Sequence, residues 1–334
     1  MPNDSTFRRT PKISLQAVVK GLLEQDKISL SRAITLVESK HPNDRKLALQ
    51  LIDRILPHCG GSLKIGISGV PGVGKSTFIE VFGKLITAKG KKVAVLSIDP
   101  SSSRTKGSIL GDKTRMTELS NDPQAYIRPT AAGSTLGGVA SNTREAIMLC
   151  EAAGFDVIIV ETVGVGQSET VVRDMVDYFL LLMLAGGGDE LQGIKRGIME
   201  ITDHILINKA DGKNADLAKK AREEYRSAIH LFPANESEWV VPVDICSATE
   251  NTGVSEVWDA IEQFQKQMKA SGWLEKNRRS QTLNWFHEQI GYQLRERFYS
   301  DQEIKDEIKK KEEMISSQKL SVRKAVDDLF RNRN

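Results

Sequence analysis

Gly69-Val70-Pro71-Gly72-Val73-Gly74-Lys75-Ser76-Thr77 is the stretch on which the fold turns. It satisfies GxxxxGK[ST] in the right context: an apolar run, Leu63 to Ile67, leads in, and a helical pattern, Thr77 to Ala88, leads out. Glycine lets the backbone wrap closely, so successive N–H groups and the N-terminus of the next helix point at phosphate oxygens. Lys75 then reaches the β and γ phosphates, and Ser76 offers its hydroxyl to Mg²⁺, a hard cation that takes oxygen ligands.

Outward from this loop, short β-rich runs alternate with longer helical stretches: Leu63 to Ile67, Val93 to Ile98, Asp156 to Val160, Phe179 to Leu184, His204 to Ile207 and Val240 to Ile245. Such alternation implies crossover connections and a parallel sheet covered on both faces. The expected class is α/β, a P-loop NTPase whose mainly parallel sheet is sandwiched by helices, with N- and C-terminal helical extensions. Residues 13 to 57 carry apolar positions at helical spacing, among them Ala33, Ile34, Leu36, Val37, Leu51 and Ile55, enough for two or three helices. After about Gln267 no strand pattern follows. Helical segments are expected near 281 to 298 and 302 to 331, with Ile304, Ile308 and Ile315 as a sparse apolar seam in the charged second one. The expected division is 1–58 N-terminal helices, 59–267 nucleotide-binding domain and 268–334 C-terminal arm. The arm's apolar face packs on its own domain or against a partner.

The chain has 334 residues, enough for about two domains, and 47 Lys+Arg against 44 Asp+Glu. A net charge of +3 disfavours nucleic acid or a charged membrane surface as partner. The longest apolar run, Tyr178 to Ala185, is too short to span a bilayer and reads as a buried strand. The opening residues lack the apolar stretch of a secretory signal. Three scattered cysteines, Cys59, Cys150 and Cys246, spell neither a disulfide framework nor a zinc knuckle. A cytoplasmic location is expected.

Phosphate chemistry on a P-loop also needs carboxylates at strand ends. Glu161 ends the run Asp156 to Val160, with Gly164 three residues on, placed to offer an N–H to the γ-phosphate. Many GTPases carry Asp there, and the longer Glu suggests a water-mediated or displaced metal contact. Asp99, after the run Val93 to Ile98, and Asp112, in Gly111-Asp112-Lys113-Thr114, are candidates to hold the metal's water shell or place the attacking water. Each has a plainer alternative, a turn at Asp99-Pro100-Ser101 and a helix cap at Asp112. Gln167 is a candidate to orient water, although its offset from Gly164 is unusual.

At the end of the run His204 to Ile207 stands Asn208-Lys209-Ala210-Asp211, an NKxD sequence. The Asp211 carboxylate can accept from both the ring N–H and the exocyclic amine of guanine, a donor pair that adenine lacks. Sites built on such bonds reject the analogue without them. Lys209 can lay its stem along the base, and Asn208 can tie this loop to the phosphate loop. After the last strand, Cys246-Ser247-Ala248 offers backbone N–H groups to the guanine O6, a weaker assignment. The cofactors expected are GTP or GDP with Mg²⁺.

Taken together, GVPGVGKST, the segment Val160 to Glu169, NKAD, and Gly186 to Lys195 (GGGDELQGIK) resemble the MeaB/ArgK family of P-loop GTPases. Weaker similarity at Arg32 to Glu38 extends the resemblance over nearly the whole chain. The resemblance implies homodimers formed through the C-terminal helices. It also implies a GTP-dependent chaperone that gates adenosylcobalamin loading of methylmalonyl-CoA mutase and protects that enzyme. Its mobile switch elements correspond to Asp99 to Asp112, Gly164 to Glu169 and Gly186 to Lys195. A DxHxxG cobalamin pattern is absent and the five histidines do not cluster, so the B12 cofactor stays with the partner.

The reaction expected is GTP + water to GDP + phosphate, with Lys75, Asp99, Glu161 and Gln167 as its catalytic set. No arginine finger is evident, so intrinsic turnover is expected to be slow and partner-stimulated. Arg104 and Arg144 are candidates in cis, each with a surface charge as the plainer reading. One rival is a kinase phosphorylating a periplasmic amino-acid transport binding protein, a label carried in this family, although no HRD-like loop is present. Another is a metallochaperone-like GTPase, for which His58 and Cys59 supply too few ligands. A nucleotide-responsive scaffold is the non-enzyme alternative.

Overall fold

A computed structural model describes residues 14–98, 116–130, 136–162, 168–185, 196–233 and 235–331. Seven parallel strands form one sheet: β1 (Leu63–Gly69), β2 (Val93–Ile98), β3 (Ala125–Thr130), β4 (Val157–Thr162), β5 (Tyr178–Leu184), β6 (His204–Asn208) and β7 (Val243–Ile245). Their order is β3-β2-β4-β1-β5-β6-β7. The phosphate-loop strand β1 thus lies at the centre, between β4 and β5, where the carboxyl ends of parallel strands open a ligand crevice.

The α/β class agrees with the sequence reading, with one strand more than expected. β3 (AYIRPT) escaped notice because Arg128 and Pro129 interrupt its apolar run. Proline lacks the N–H that a central strand must donate, and β3 tolerates it because it is the sheet edge. The last strand is also shorter than expected, starting at Val243 rather than Val240.

Side chains alternate across the sheet. Ile65, Ile67, Val95, Ile159, Leu180 and Leu182 pack on one face with Phe78 and Phe82 of the helix Lys75–Ala88 and Trp258 and Phe264 of the helix Val254–Ala270. Ala94, Leu96, Ile158, Val160 and Phe179 pack on the other, under the helix Leu136–Ala152 and three N-terminal helices, Leu15–Leu23, Lys27–Glu38 and Pro42–Ile55. Asp26 caps the second of these by accepting from the N–H groups of Ile28 and Ser29, and Pro42 starts the third where its missing N–H costs nothing. A smaller cluster joins Leu181, Ile205 and Ile207 to the helix Ala215–Ile229.

The structure divides between Gln281 and Thr282 into two units. In the first, the start of the helix Trp273–Ser300 is locked down by Arg278. Its guanidinium grips the fully buried Asp177 carboxylate through two 2.7 Å bonds and donates to the carbonyls of Gly60 and Ser62 at 2.6 and 2.7 Å. In the second, the helix expected over 302–331 is two helices, Gln302–Ser316 and Val322–Arg331. Gln318 turns left-handed at φ 57°, and the N–H of Lys319 closes on the Met314 carbonyl at 2.9 Å, stopping the first helix. The two then pack through Ile304, Ala325 and Leu329, with Phe298 stacked on Phe330 at 5.0 Å. Among the described residues, no helix is long and apolar enough to cross a membrane.

Candidate nucleotide site

The phosphate loop leaves β1 through Gly69 at φ 155°, where a Cβ would lie 2.4 Å from the Leu182 carbonyl oxygen of the neighbouring strand. It enters the helix through Gly74 at φ 92°, where a Cβ would press on the Asn208 amide at 2.9 Å. Both positions therefore demand glycine. Lys75 is the first residue of the helix, and its ammonium donates to the carbonyls of Gly69 at 2.7 Å and Val70 at 3.3 Å, across the mouth of the loop. Burial lowers the Lys75 pKa from its ordinary value, and the carboxylates of Glu161 and Glu169 act against that shift. Val73 is fully buried and anchors the loop from beneath.

Glu161, next to last in β4, lies beside β1 and β2, in register with Ile67 and Ser97. Only 4% exposed, it accepts from Ser76 Oγ on one oxygen and from Ser97 Oγ on the other, both at 3.4 Å. Next to it, Thr162 Oγ1 donates to Ser68 Oγ at 2.9 Å. Ser68, Ser97 and Glu169 are contributors that sequence reasoning passed over. For Ser68 and Ser97 the usable signal was a polar residue near the carboxyl end of an otherwise apolar strand, whereas Glu169 lies on the helix Ser168–Arg173 and carries no such signal. Asp99, Asp112, Gln167, Gly164 and Arg104 lie outside the described residues. Arg144 is buried on the helix Leu136–Ala152, within electrostatic reach of Asp174.

The base loop follows β6. Asn208, 1% exposed, donates from Nδ2 to the Val73 carbonyl at 2.9 Å, and its Oδ1 accepts from Cys246 Sγ and from the Ala248 N–H. A single amide therefore spans the phosphate loop, the β6 end and the segment after β7. Lys209 turns left-handed at φ 59°, which brings its Cε to 3.7 Å from where a Gly74 Cβ would stand. The Asp211 carboxylate accepts on Oδ2 from Ser247 Oγ at 2.7 Å and from Thr249 Oγ1 at 3.1 Å. Backbone bonds brace the same corner: Cys246 N to Ile207 O at 2.9 Å and Ala210 N to Cys246 O at 3.0 Å. Burial pushes the Cys246 thiol up to about 12, so it packs as a neutral group.

Lys75, Ser76 and Glu161 thus gather at the carboxyl ends of β1 and β4, and Asn208, Lys209, Asp211, Ser247 and Ala248 gather at those of β6 and β7. The donors around Ser76 and Glu161 are all oxygens, a chemistry that fits Mg²⁺.

A central parallel sheet with a phosphate loop after its middle strand and an NKxD corner two strands away defines a P-loop NTPase of the G-protein type. The chain belongs to the MeaB family: the family model described as "Methylmalonyl Co-A mutase-associated GTPase MeaB" matches residues 30–303. It is 47% identical over 291 residues to the GTPase ArgK of Escherichia coli (strain K12), covering 87% of this chain and 88% of that one. It is 46% identical over 321 residues to the mitochondrial methylmalonic aciduria type A homolog of Mus musculus, covering 93% of this chain and 77% of that one. A crystal structure of an LAO/AO transport system kinase superposes with a TM-score of 0.75 at 38% identity, covering 98% of each chain.

Proposed function

We propose that the protein binds GTP with Mg²⁺, hydrolyses it slowly to GDP and phosphate, and uses that cycle as a chaperone of adenosylcobalamin-dependent methylmalonyl-CoA mutase. The observation that carries the nucleotide reading is the Asn208 amide bond to Val73. It ties the phosphate loop to the base corner, as one nucleotide bridging the two requires.

The phosphate-loop N–H groups between Gly69 and Thr77, Pro71 having none, and the Lys75 ammonium hold the β and γ phosphates, with Lys75 exchanging its carbonyl partners for phosphate oxygens of opposite charge. Ser76 holds Mg²⁺ directly, and Glu161 with Asp99 and Asp112 holds its water shell. The metal supplies charge neutralisation at the phosphates. Gln167 orients the attacking water, and a partner completes the charge stabilisation. Asp211 selects guanine, Lys209 covers the ring, and the Ser247 to Ala248 backbone meets O6. The C-terminal arm from 268 joins two copies, the nucleotide domain spans 59–267 with residues 1–58 as its helical extension, and the protein works in the cytoplasm.

Phosphate release from GTP and ATP, with and without the mutase, tests the activity. Preference for GTP with acceleration by the mutase is expected, and faster ATP hydrolysis overturns the base assignment. Mutase capture that depends on GDP or a non-hydrolysable GTP analogue tests the partner, and nucleotide-independent capture or none removes the gating role. The similarity to an LAO/AO transport system kinase favours a second reading, transfer of the γ-phosphate to a protein. Label appearing on a protein rather than as free phosphate distinguishes it.

A further inference from the structure

The corner that carries Asp211 contains one hydroxyl more than its carboxylate needs for a simple brace. Ser247 Oγ, Thr249 Oγ1 and Asp211 Oδ2 form a triangle with sides of 2.7, 3.0 and 3.1 Å. Each hydroxyl has one proton to give. Ser247 is fully buried, sits on the short side to Asp211, and also accepts from the Glu250 N–H at 3.2 Å. Its proton is committed to the carboxylate. Thr249 is exposed at the rim and faces two acceptors at nearly equal distance, Asp211 Oδ2 and Ser247 Oγ.

We propose that Thr249 is a positioning residue for base selection, whose hydroxyl, bonded to Asp211 Oδ2 and 3.0 Å from Ser247 Oγ, fixes the plane in which that carboxylate meets the two N–H groups of the base. This rests on the reading of Asp211 as the guanine-selecting carboxylate. Two parallel N–H bonds require the carboxylate plane to be right, whereas one bond tolerates rotation. Thr249 therefore acts mainly on the two-bond contact of guanine and less on hypoxanthine, which lacks the amine.

The test is calorimetric titration of GDP, IDP and ADP into the parent protein and the variants Thr249→Val and Thr249→Ser. Without the Thr249 bond the carboxylate must be ordered by the base itself, so Thr249→Val is expected to weaken GDP binding by about 3- to 10-fold, the scale of one hydrogen bond. IDP is expected to weaken less, so the GDP:IDP preference falls, and Thr249→Ser restores it. GDP and IDP weakened by the same factor means that Thr249 only braces the loop, and overturns the proposal. Unchanged GDP binding, or a GDP:IDP preference that rises, overturns it too. The underlying base assignment fails separately, and visibly, if the parent protein binds ADP as well as GDP.

Discussion

The Asn208 side-chain amide reaches 135 residues back along the chain to the carbonyl of Val73, 2.9 Å away, and this bond joins the base corner to the phosphate loop. Both residues are shut off from solvent. Asn208→Ala therefore strands the Val73 carbonyl and releases the Ala248 N–H, a cost of about 1–3 kcal/mol for a buried polar group left unpaired. The expected result is a lower melting midpoint together with GDP affinity reduced by about tenfold or more, since one loop no longer positions the other. Intact GDP affinity in a folded Asn208→Ala protein contradicts the tether.

The two ends of the proposed site make separate predictions. The half-buried ammonium of Lys75 donates to two loop carbonyls and takes no part in the apolar core, so Lys75→Ala is expected to fold normally and to lose about 100-fold or more in kcat/KM for GTP. At the other end, Asp211→Asn replaces an acceptor pair by a mixed donor and acceptor, which suits xanthine better than guanine. Nucleotide competition is expected to show the preference moving from GDP to XDP, and a variant that still prefers GDP refutes the base contact.

The parts legible in the sequence were those whose chemistry is local. GVPGVGKST and NKAD announce themselves because each packs its function into a few consecutive residues, and the alternation of apolar strands with helices gives the sheet. What stayed hidden depends on contacts between distant segments. Nothing near Arg278 in the sequence points to Asp177, a hundred and one positions away, or to the carbonyls of Gly60 and Ser62. Thr249 reads as an ordinary turn residue until Asp211 is seen beside it. The edge strand β3 was lost to Pro129, a residue whose meaning changes between the centre and the margin of a sheet.

Arg278 makes a stability prediction. Its partner Asp177 is fully buried and also accepts from the Lys64 N–H at 2.9 Å, at the foot of the central strand. Removing the guanidinium leaves a buried carboxylate uncompensated, so Arg278→Ala is expected to cost about 3–5 kcal/mol in denaturant unfolding. Arg278→Lys does not restore it, because an ammonium cannot reproduce the paired bonds to the carboxylate and the two carbonyls. Full rescue by lysine shows the clamp to be simple charge pairing.

Burial pushes the Glu145 carboxyl from an ordinary 4.5 up to about 7. Between those values the folded state holds a proton that the unfolded chain has released, so folding stability falls as pH rises from about 4.5 to about 7 and stays low above it. Glu145→Gln abolishes that dependence. The variant is expected to match the parent near pH 4.5 and to exceed it by about 1–2 kcal/mol at pH 8, less than the full shift because water still reaches this half-buried helix face. A stability difference that is constant with pH removes burial of the charge as the cause.

The helix Trp273–Ser300 carries Leu283, Phe286, Ile290 and Leu294 at spacings of three and four residues, between 42% and 63% exposed. Such spacing puts the four side chains on one stripe, and a stripe of large apolar groups left in water marks a surface that a partner covers. Within the same unit, Val322, Val326 and Phe330 repeat the pattern at spacings of four along the last helix. If a second copy covers the first stripe, Phe286→Glu with Leu294→Glu places two charges in a dry interface and converts dimer to monomer in light scattering, without altering GDP affinity. A parent protein that is monomeric at tens of micromolar, or a double variant that remains dimeric, assigns the stripe to another occupant. The comparison is clean because none of the four residues supports the folded core of the nucleotide domain, which closes on Leu274 at the start of the same helix.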